Sequence, residues 1–347
     1  MSNRFVISFA RMICKPKIWL NRILPAAFLV CFSVSLGFSQ QVVSYSITEG
    51  LLHNNIRSIF HAPDGYLWIG TWDGLSRFDG HSFYNYQSNP GDSTSIADVI
   101  IQRIAKDNNG YIWVITGTGW QIARYEPSTD NFKRLELPTD KQSSGGGPSD
   151  LAFDNYGNGW LINEEGLFWL DPISFSHRFI DISDIHLKQI RINTDKEGLW
   201  IASTKGLFLF SYQTLNLNEK ITTYDAVLSY HYKGYDYDKH IQSLVKTQNG
   251  SLVVATSDVN GTNIKLFITP SDTNNKLREL PFPHFHQPHN TVQSMYISKI
   301  AANKILVSTD YPEFAVFDTE SMDYEYNHPV SIKSGSSLKQ VAYPDHQ

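Results

Sequence analysis

The side chains of this chain best suited to chemistry are flat rings set beside turn residues. Trp72 stands next to Asp73, and Trp120 follows Gly119, each within the glycine and polar content of a tight hairpin. An indole exposed there matches the apolar face of a pyranose, so Trp72, Asp73 and Trp120 are candidate ligand-binding residues; the competing role for either ring is capping a neighbouring sheet. A second aromatic group lies in residues 224–240, where Tyr224, Tyr230, His231, Tyr232, Tyr235, Tyr237 and His240 alternate with Asp and Lys. Tyrosines give a large, rigid contact area with a polar tip, which suits sugar or protein recognition. Tyr232 and Tyr235 are the candidates from this stretch, against the plainer reading of an irregular strand plus loop.

Other chemistries are less well served. His284, His286 and His289 have a spacing that could bind a metal, but no Cys or acidic partner completes a ligand set, so no metal site is assigned. Glycoside hydrolysis needs two carboxylates across a cleft. The acidic residues Asp64, Asp107, Asp154 and Asp195 instead recur at turns, where local Asx bonding accounts for them. Arg57, Arg103 and Arg191 sit on the first strands of their repeats, which approach the channel, and could form a small cationic patch facing an acidic sugar. No catalytic residue and no cofactor follow from these patterns.

The elements that must position these side chains come from one repeated unit. Asn55–Phe60 reads as a strand, Pro63-Asp64-Gly65 as a turn and the residues up to Thr71 as a strand beginning Leu67-Trp68. A second turn at Asp73-Gly74 leads to a third strand ending Phe78-Asp79, and a short fourth strand is expected at Ser82–Tyr86. The unit returns around Trp113, Trp160 and Trp200, spaced 45, 47 and 40 residues apart, and then twice more without the tryptophan, at 241–268 and 295–318. A four-stranded sheet cannot bury both faces alone, whereas sheets packed radially cover one another. The expected fold is therefore all-β, a β-propeller of four-stranded blades, with Trp68, Trp113, Trp160 and Trp200 as blade core. The expected blades are 42–90, 91–140, 141–182, 183–235, 236–285 and 286–330. Ser337–Asp345 parallels Asn55–Asp64 with one residue deleted and reads as the start of a seventh at 331–347, so the ring is expected to be incomplete. Ser143–Pro148 reads as a flexible loop between blades two and three.

The first 39 residues stand apart. Arg4, Arg11, Lys15, Lys17 and Arg22 occur with no acidic residue, and an apolar run, Ile23–Phe38, ends in small residues before Gln40. This is the pattern of an export signal cleaved after Ser39, with an uncleaved anchor as the alternative. Both cysteines, Cys14 and Cys31, fall inside it, so the mature chain would carry no thiol. Its removal would take the net charge from −5 to −10, because 24 Lys and Arg would remain against 34 Asp and Glu. That balance argues against nucleic acid or an anionic membrane surface as partner.

The strings Asp64–Thr71 and Asp73–Asp79, with Ser46–Ile56 before them, closely resemble the two-component regulator propeller repeat, and the resemblance extends over about residues 42–320. It implies the periplasmic N-terminal part of a hybrid histidine-kinase sensor from a polysaccharide-degrading Gram-negative bacterium. In such proteins two propellers and a β-sandwich precede a membrane helix, a kinase and a receiver. The implied partner is an oligosaccharide, with membrane contact only through a downstream segment that this sequence lacks. Dimer formation is left open. The resemblance thus points to a ligand-sensing propeller without its kinase part. The alternatives are a secreted protein-interaction scaffold and, further off, a carbohydrate-active hydrolase or lyase.

Overall fold

The computed structural model describes residues 5–8, 42–117, 121–137, 147–182, 187–188, 190–211, 228–232, 239–258, 263–269, 277–283, 295–299, 302–309 and 313–329. A short antiparallel pair, β1 (Phe5–Ser8) with β2 (Val42–Tyr45), precedes the repeats. Cleavage after Ser39 would remove β1. A single 3-10 turn at Ile47–Glu49, closed by a reciprocal capping box between Ser46 and Glu49, then delivers the chain to the first blade.

The repeated unit folds as six four-stranded antiparallel sheets, and the chain is a β-propeller. The first blade is β3 (Ile56–His61), β4 (Leu67–Thr71), β5 (Gly74–Phe78) and β6 (Phe83–Tyr86). The second is β7 (Ile101–Lys106), β8 (Ile112–Thr116), β9 (Gln121–Glu126) and β10 (Asn131–Glu136). The third is β11 (Asp150–Phe153), β12 (Gly159–Ile162), β13 (Gly166–Leu170) and β14 (His177–Asp181). The fourth is β15 (Arg191–Thr194), β16 (Gly198–Ser203), β17 (Gly206–Ser211) and β18 (Leu228–Tyr232). The fifth is β19 (Lys239–Lys246), β20 (Leu252–Asp258), β21 (Lys265–Ile268) and β22 (Arg278–Leu280). The sixth is β23 (Met295–Lys299), β24 (Lys304–Thr309), β25 (Glu313–Asp318) and β26 (Asp323–Pro329). The segment 331–347, expected to open a seventh blade, lies outside the described residues.

Why each blade orders its strands this way follows from burial. The second strand sits mid-sheet with both faces covered, by neighbouring blades or, in the first blade, by Tyr45 and Leu51 on one side, so its sequence is a continuous buried run rather than an alternating one. β4, β8, β12 and β16 are buried at every position. The outermost strand faces water; in β6 (Phe-Tyr-Asn-Tyr) no residue is fully buried.

Each interface is one apolar cluster. Trp68 and Leu75 of the first blade pack on Ile101, Ile112, Val114 and Ala123 of the second. Trp113 and Ile122 meet Leu151, Leu161 and Phe168 of the third. Trp160 and Leu167 meet Ile192, Leu199, Ile201 and Phe210 of the fourth, and Trp200 and Leu207 meet Ile241, Leu252 and Val254 of the fifth. Between the fifth and sixth blades no tryptophan contributes to the cluster; Val253 and Ala255 meet Met295, Ile305, Val307 and Phe317.

The innermost strands run side by side around the axis, β3 beside β7, then β11, β15, β19 and β23. The turn from first to second strand is set by glycine. Gly65, Gly110, Gly157 and Gly250 occupy equivalent places with φ between 89° and 90°. A Cβ there would meet no atom within 4 Å, so the left-handed backbone, and not space, requires glycine.

Candidate functional site

The end of the axial channel nearest the hairpins between second and third strands collects the polar side chains of the innermost strands. The hairpins are tied to those strands by a repeated backbone bond: Trp72 N–H donates to Asn55 O (3.2 Å), Gly117 to Ile100 O (2.7 Å) and Thr204 to Lys188 O (3.1 Å). Each hairpin is also closed from within by a buried polar side chain. Thr71 Oγ1 donates to Gly74 O, Thr116 Oγ1 donates to Gln121 O, and Asn163 Oδ1 accepts from Glu165 and Gly166 N–H. The rim bearing Trp72 is therefore fixed relative to the channel-lining strands.

Those strands are irregular at one level. β3, β7 and β19 each carry a bulge against the following strand, at Arg57, Gln102 and Gln242. A bulge inserts one unpaired residue and re-aims side chains locally. The three share a pattern, Ile56-Arg57-Ser58-Ile59, Ile101-Gln102-Arg103-Ile104 and Ile241-Gln242-Ser243-Leu244, with two polar residues where strict alternation allows one. β15 and β23 keep the alternation, in Ile190-Arg191-Ile192 and Met295-Tyr296-Ile297, and show no bulge against their neighbours.

At this level the contacts cross from blade to blade. The guanidinium carbon of Arg57 lies 5.8 Å from the ring centre of Trp72, which is 45% exposed. Arg57 Nη2 donates to Gln102 Oε1 (2.7 Å), and Gln102 Nε2 donates to Gly117 O (2.9 Å), which joins the bulges of the first two blades. Arg103 Nε lies 3.4 Å from Asp150 Oδ1 in the third blade. Asp150 Oδ2 accepts Ile192 N–H (3.0 Å) from the fourth blade.

Arg191 is half-buried and donates through Nη1 to its neighbour's carbonyl, Ile190 O (2.8 Å), while its Nε is enclosed without a hydrogen-bond partner. Burial, and next the charge of Arg103, push its guanidinium down to about 9; Asp150 and Tyr296 pull it upward and Arg57 pushes it down further. It still carries its proton at neutral pH. Charged and polar groups of four other blades thus act on a single guanidinium.

The residues expected to bind ligand are distributed unevenly around this mouth. Trp72 stands at the rim over Arg57, and Asp73 is half-buried beside it, where Gln87 Nε2 donates to its carboxylate (3.3 Å). Tyr232 is on β18, where its backbone pairs with Leu207 beside a bulge. Trp120 and Tyr235 lie outside the described residues, as do His284, His286 and His289. Trp68, Trp113, Trp160 and Trp200 are at most 6% exposed and lie in the clusters between blades. Sequence reasoning missed Gln102, Asp150, Gln242 and Tyr296, although the paired polar residues in Ile-x-x-Ile marked two of the bulges.

The acidic turn residues do more than bend the chain. Asp107 and Asp154 each use one carboxylate oxygen for an Asx turn, and Asp107, Asp154 and Asp195 use the other to accept the indole N–H of Trp113, Trp160 and Trp200 at 2.9, 2.8 and 3.1 Å. Asp64 has no such role; its Oδ1 accepts Tyr66 N–H.

A propeller with a polar, arginine-bearing channel mouth is the class that fold and geometry define. Residues 50–73, which contain the first-blade turn and Trp72, match the family model of the two component regulator propeller. Histidine kinase P4 of Formosa agariphila is 46% identical over 54 residues, which are 16% of this chain and 4% of that protein.

Among solved structures, the extracellular domain of a protein from B. thetaiotaomicron described as a hybrid two component system aligns with TM-score 0.59 and 18% identity, covering 81% of this chain and 36% of that one. Virginiamycin B lyase from Staphylococcus aureus aligns with TM-score 0.57 and 12% identity over 81% of this chain and 86% of its own. At these identities both likenesses are of fold. This chain thus spans a small part of the kinase it matches and about a third of the B. thetaiotaomicron structure.

Proposed function

We propose that this chain is a ligand-sensing propeller of two-component signalling, acting outside the cytoplasm, and that its ligand is an oligosaccharide. The observation that carries the reading is Trp72: an indole nearly half exposed on a rigid rim, inside the segment that matches the regulator repeat, and beside the polar groups of the channel mouth. One ring supplies stacking surface, while Arg57, Gln102 and Tyr296 supply hydrogen bonds to hydroxyls, the usual division of labour in sugar recognition. No helix among the described residues is long and apolar enough to cross a membrane.

The test is calorimetric titration of the full chain against a panel of plant and algal oligosaccharides, with product analysis after long incubation. Binding without turnover, weakened by Trp72→Ala, is the expected result. Turnover would instead favour a lyase or hydrolase. No affinity for any saccharide would favour a protein-interaction scaffold.

A further inference from the structure

The charge at the channel mouth is out of balance in a way the neutral-sugar reading does not require. Arg57, Arg103 and Arg191 stand at one level of the innermost strands, yet the carboxylate at that level, Asp150, is already committed. Its oxygens accept the N–H groups of Leu151 (3.1 Å) and Ile192 (3.0 Å) and approach Arg103. Asp98, nearer the rim beside Gly117, turns its Oδ1 to Ile100 N–H (3.2 Å).

The guanidiniums are correspondingly underused among the described residues. Arg57 makes one hydrogen bond, to Gln102, and Arg191 makes one, to Ile190 O, with its Nε enclosed and unpaired. An enclosed guanidinium N–H left without an acceptor is costly unless something supplies one. The surplus also runs against the chain as a whole, whose net charge is −5. A local patch of opposite sign in a walled opening focuses the field on an incoming anion.

We infer that the ligand of this mouth is an acidic saccharide, whose carboxylate or sulfate groups are held by Arg57, Arg103 and Arg191 while a sugar ring stacks on Trp72. The inference rests on the oligosaccharide reading above and names its chemical class. Guanidinium suits this task because its planar fork bonds carboxylate and sulfate oxygens in pairs. Gln102 has a positioning role: by accepting from Arg57 and donating to the rim at Gly117 it holds Arg57 over Trp72.

The experiment compares tetragalacturonate with its full methyl ester, which keeps the sugar backbone and removes the charge, and adds a sulfated galactan tetrasaccharide as a second acidic probe. The full chain should bind at least one acidic probe roughly tenfold or more tightly than the ester, with affinity falling as salt rises. Arg191→Gln and Arg57→Gln should each weaken the acidic probe by about tenfold and the ester by much less. Arg57 is exposed, so Arg57→Gln keeps the test valid if Arg191→Gln fails to fold.

Equal binding of acid and ester, or acid binding indifferent to both arginine substitutions, overturns the acidic class and leaves the oligosaccharide reading standing. Absence of binding to any probe, neutral or charged, removes both. Preference for the sulfated probe over galacturonate supports the inference and assigns sulfate as the recognised anion.

Discussion

Asp154 Oδ2 accepts the indole proton of Trp160 at 2.8 Å, and in the first blade the residue equivalent to Asp154 is Ala62. The backbones match. Ala62 N–H donates to Tyr66 O and Gly65 N–H to Ala62 O, as Asp154 N–H does to Asn158 O and Gly157 N–H to Asp154 O. Trp68 Nε1 is accordingly buried without a partner. The substitution Ala62→Asp should place a carboxylate where the orphan donor needs it and raise stability by about 1–2 kcal/mol, the scale of a charge-assisted bond to a buried donor. Urea melts of the full chain give the answer, and a lowered midpoint would mean that burying the carboxylate costs more than the bond returns.

The converse change should hurt. Asp154→Ala orphans the Trp160 indole and removes the acceptor of the Tyr156 and Asn158 N–H groups in the same turn. A loss of roughly 2–4 kcal/mol is expected from a stranded buried donor plus a broken turn. Asp64→Ala, which releases only Tyr66 N–H on an exposed turn, should cost well under half as much. Similar losses at the two positions would show that the indole bond contributes little.

The propeller was legible because its signals are local and repeated. An Asp-Gly turn, a buried strand opening Leu-Trp and a hairpin glycine recur at 40 to 47 residues, and each has one mechanical meaning. The last two blades were fainter for a physical reason. With Val253 filling the place of Trp113, the indole acceptor is no longer needed, and Thr247 stands where Asp107 does, bonding Ser251 O instead.

The channel mouth was only half legible. The recurrence of Arg57, Arg103 and Arg191 on first strands was visible, but their convergence depends on the ring of blades, and the role of Asp150 depends on contacts 42 and 47 residues away. A period-two reading of β3 and β7 also assumes no bulge, and the bulges decide where Arg57 and Gln102 point.

Gly157 offers a test of backbone against space. Its φ is +89° and nothing lies within 4 Å of a Cβ placed there, so Gly157→Ala should cost about 1–2 kcal/mol through conformation alone. Gly157→Asn should cost less despite its larger side chain, since Asn tolerates positive φ better. Thermal melts that rank Asn below Ala would show that sterics, rather than φ, select glycine at this turn.

The alkaline limit of stability should be set in part by tyrosines between the first two blades. Tyr86 and Tyr125 both donate hydroxyl protons to Asp130 Oδ1 at 2.6 Å, and Tyr86 stacks on Trp68 with ring centres 5.9 Å apart. Burial first, and then the Asp130 bond, raise both phenols above their ordinary value of 10; burial does the same for Tyr324. Below that pH the phenols are protonated in both folded and unfolded chains, and their contribution is constant. Above it the unfolded chain releases protons that the folded chain retains, so stability is lost progressively as pH rises toward the folded values. Melting temperatures measured from neutral pH to about pH 11 should fall beyond pH 10. The fall should be shallower in Tyr86→Phe, which lacks one such proton but keeps the ring against Trp68. An identical slope in wild type and variant would place the alkaline sensitivity elsewhere in the fold.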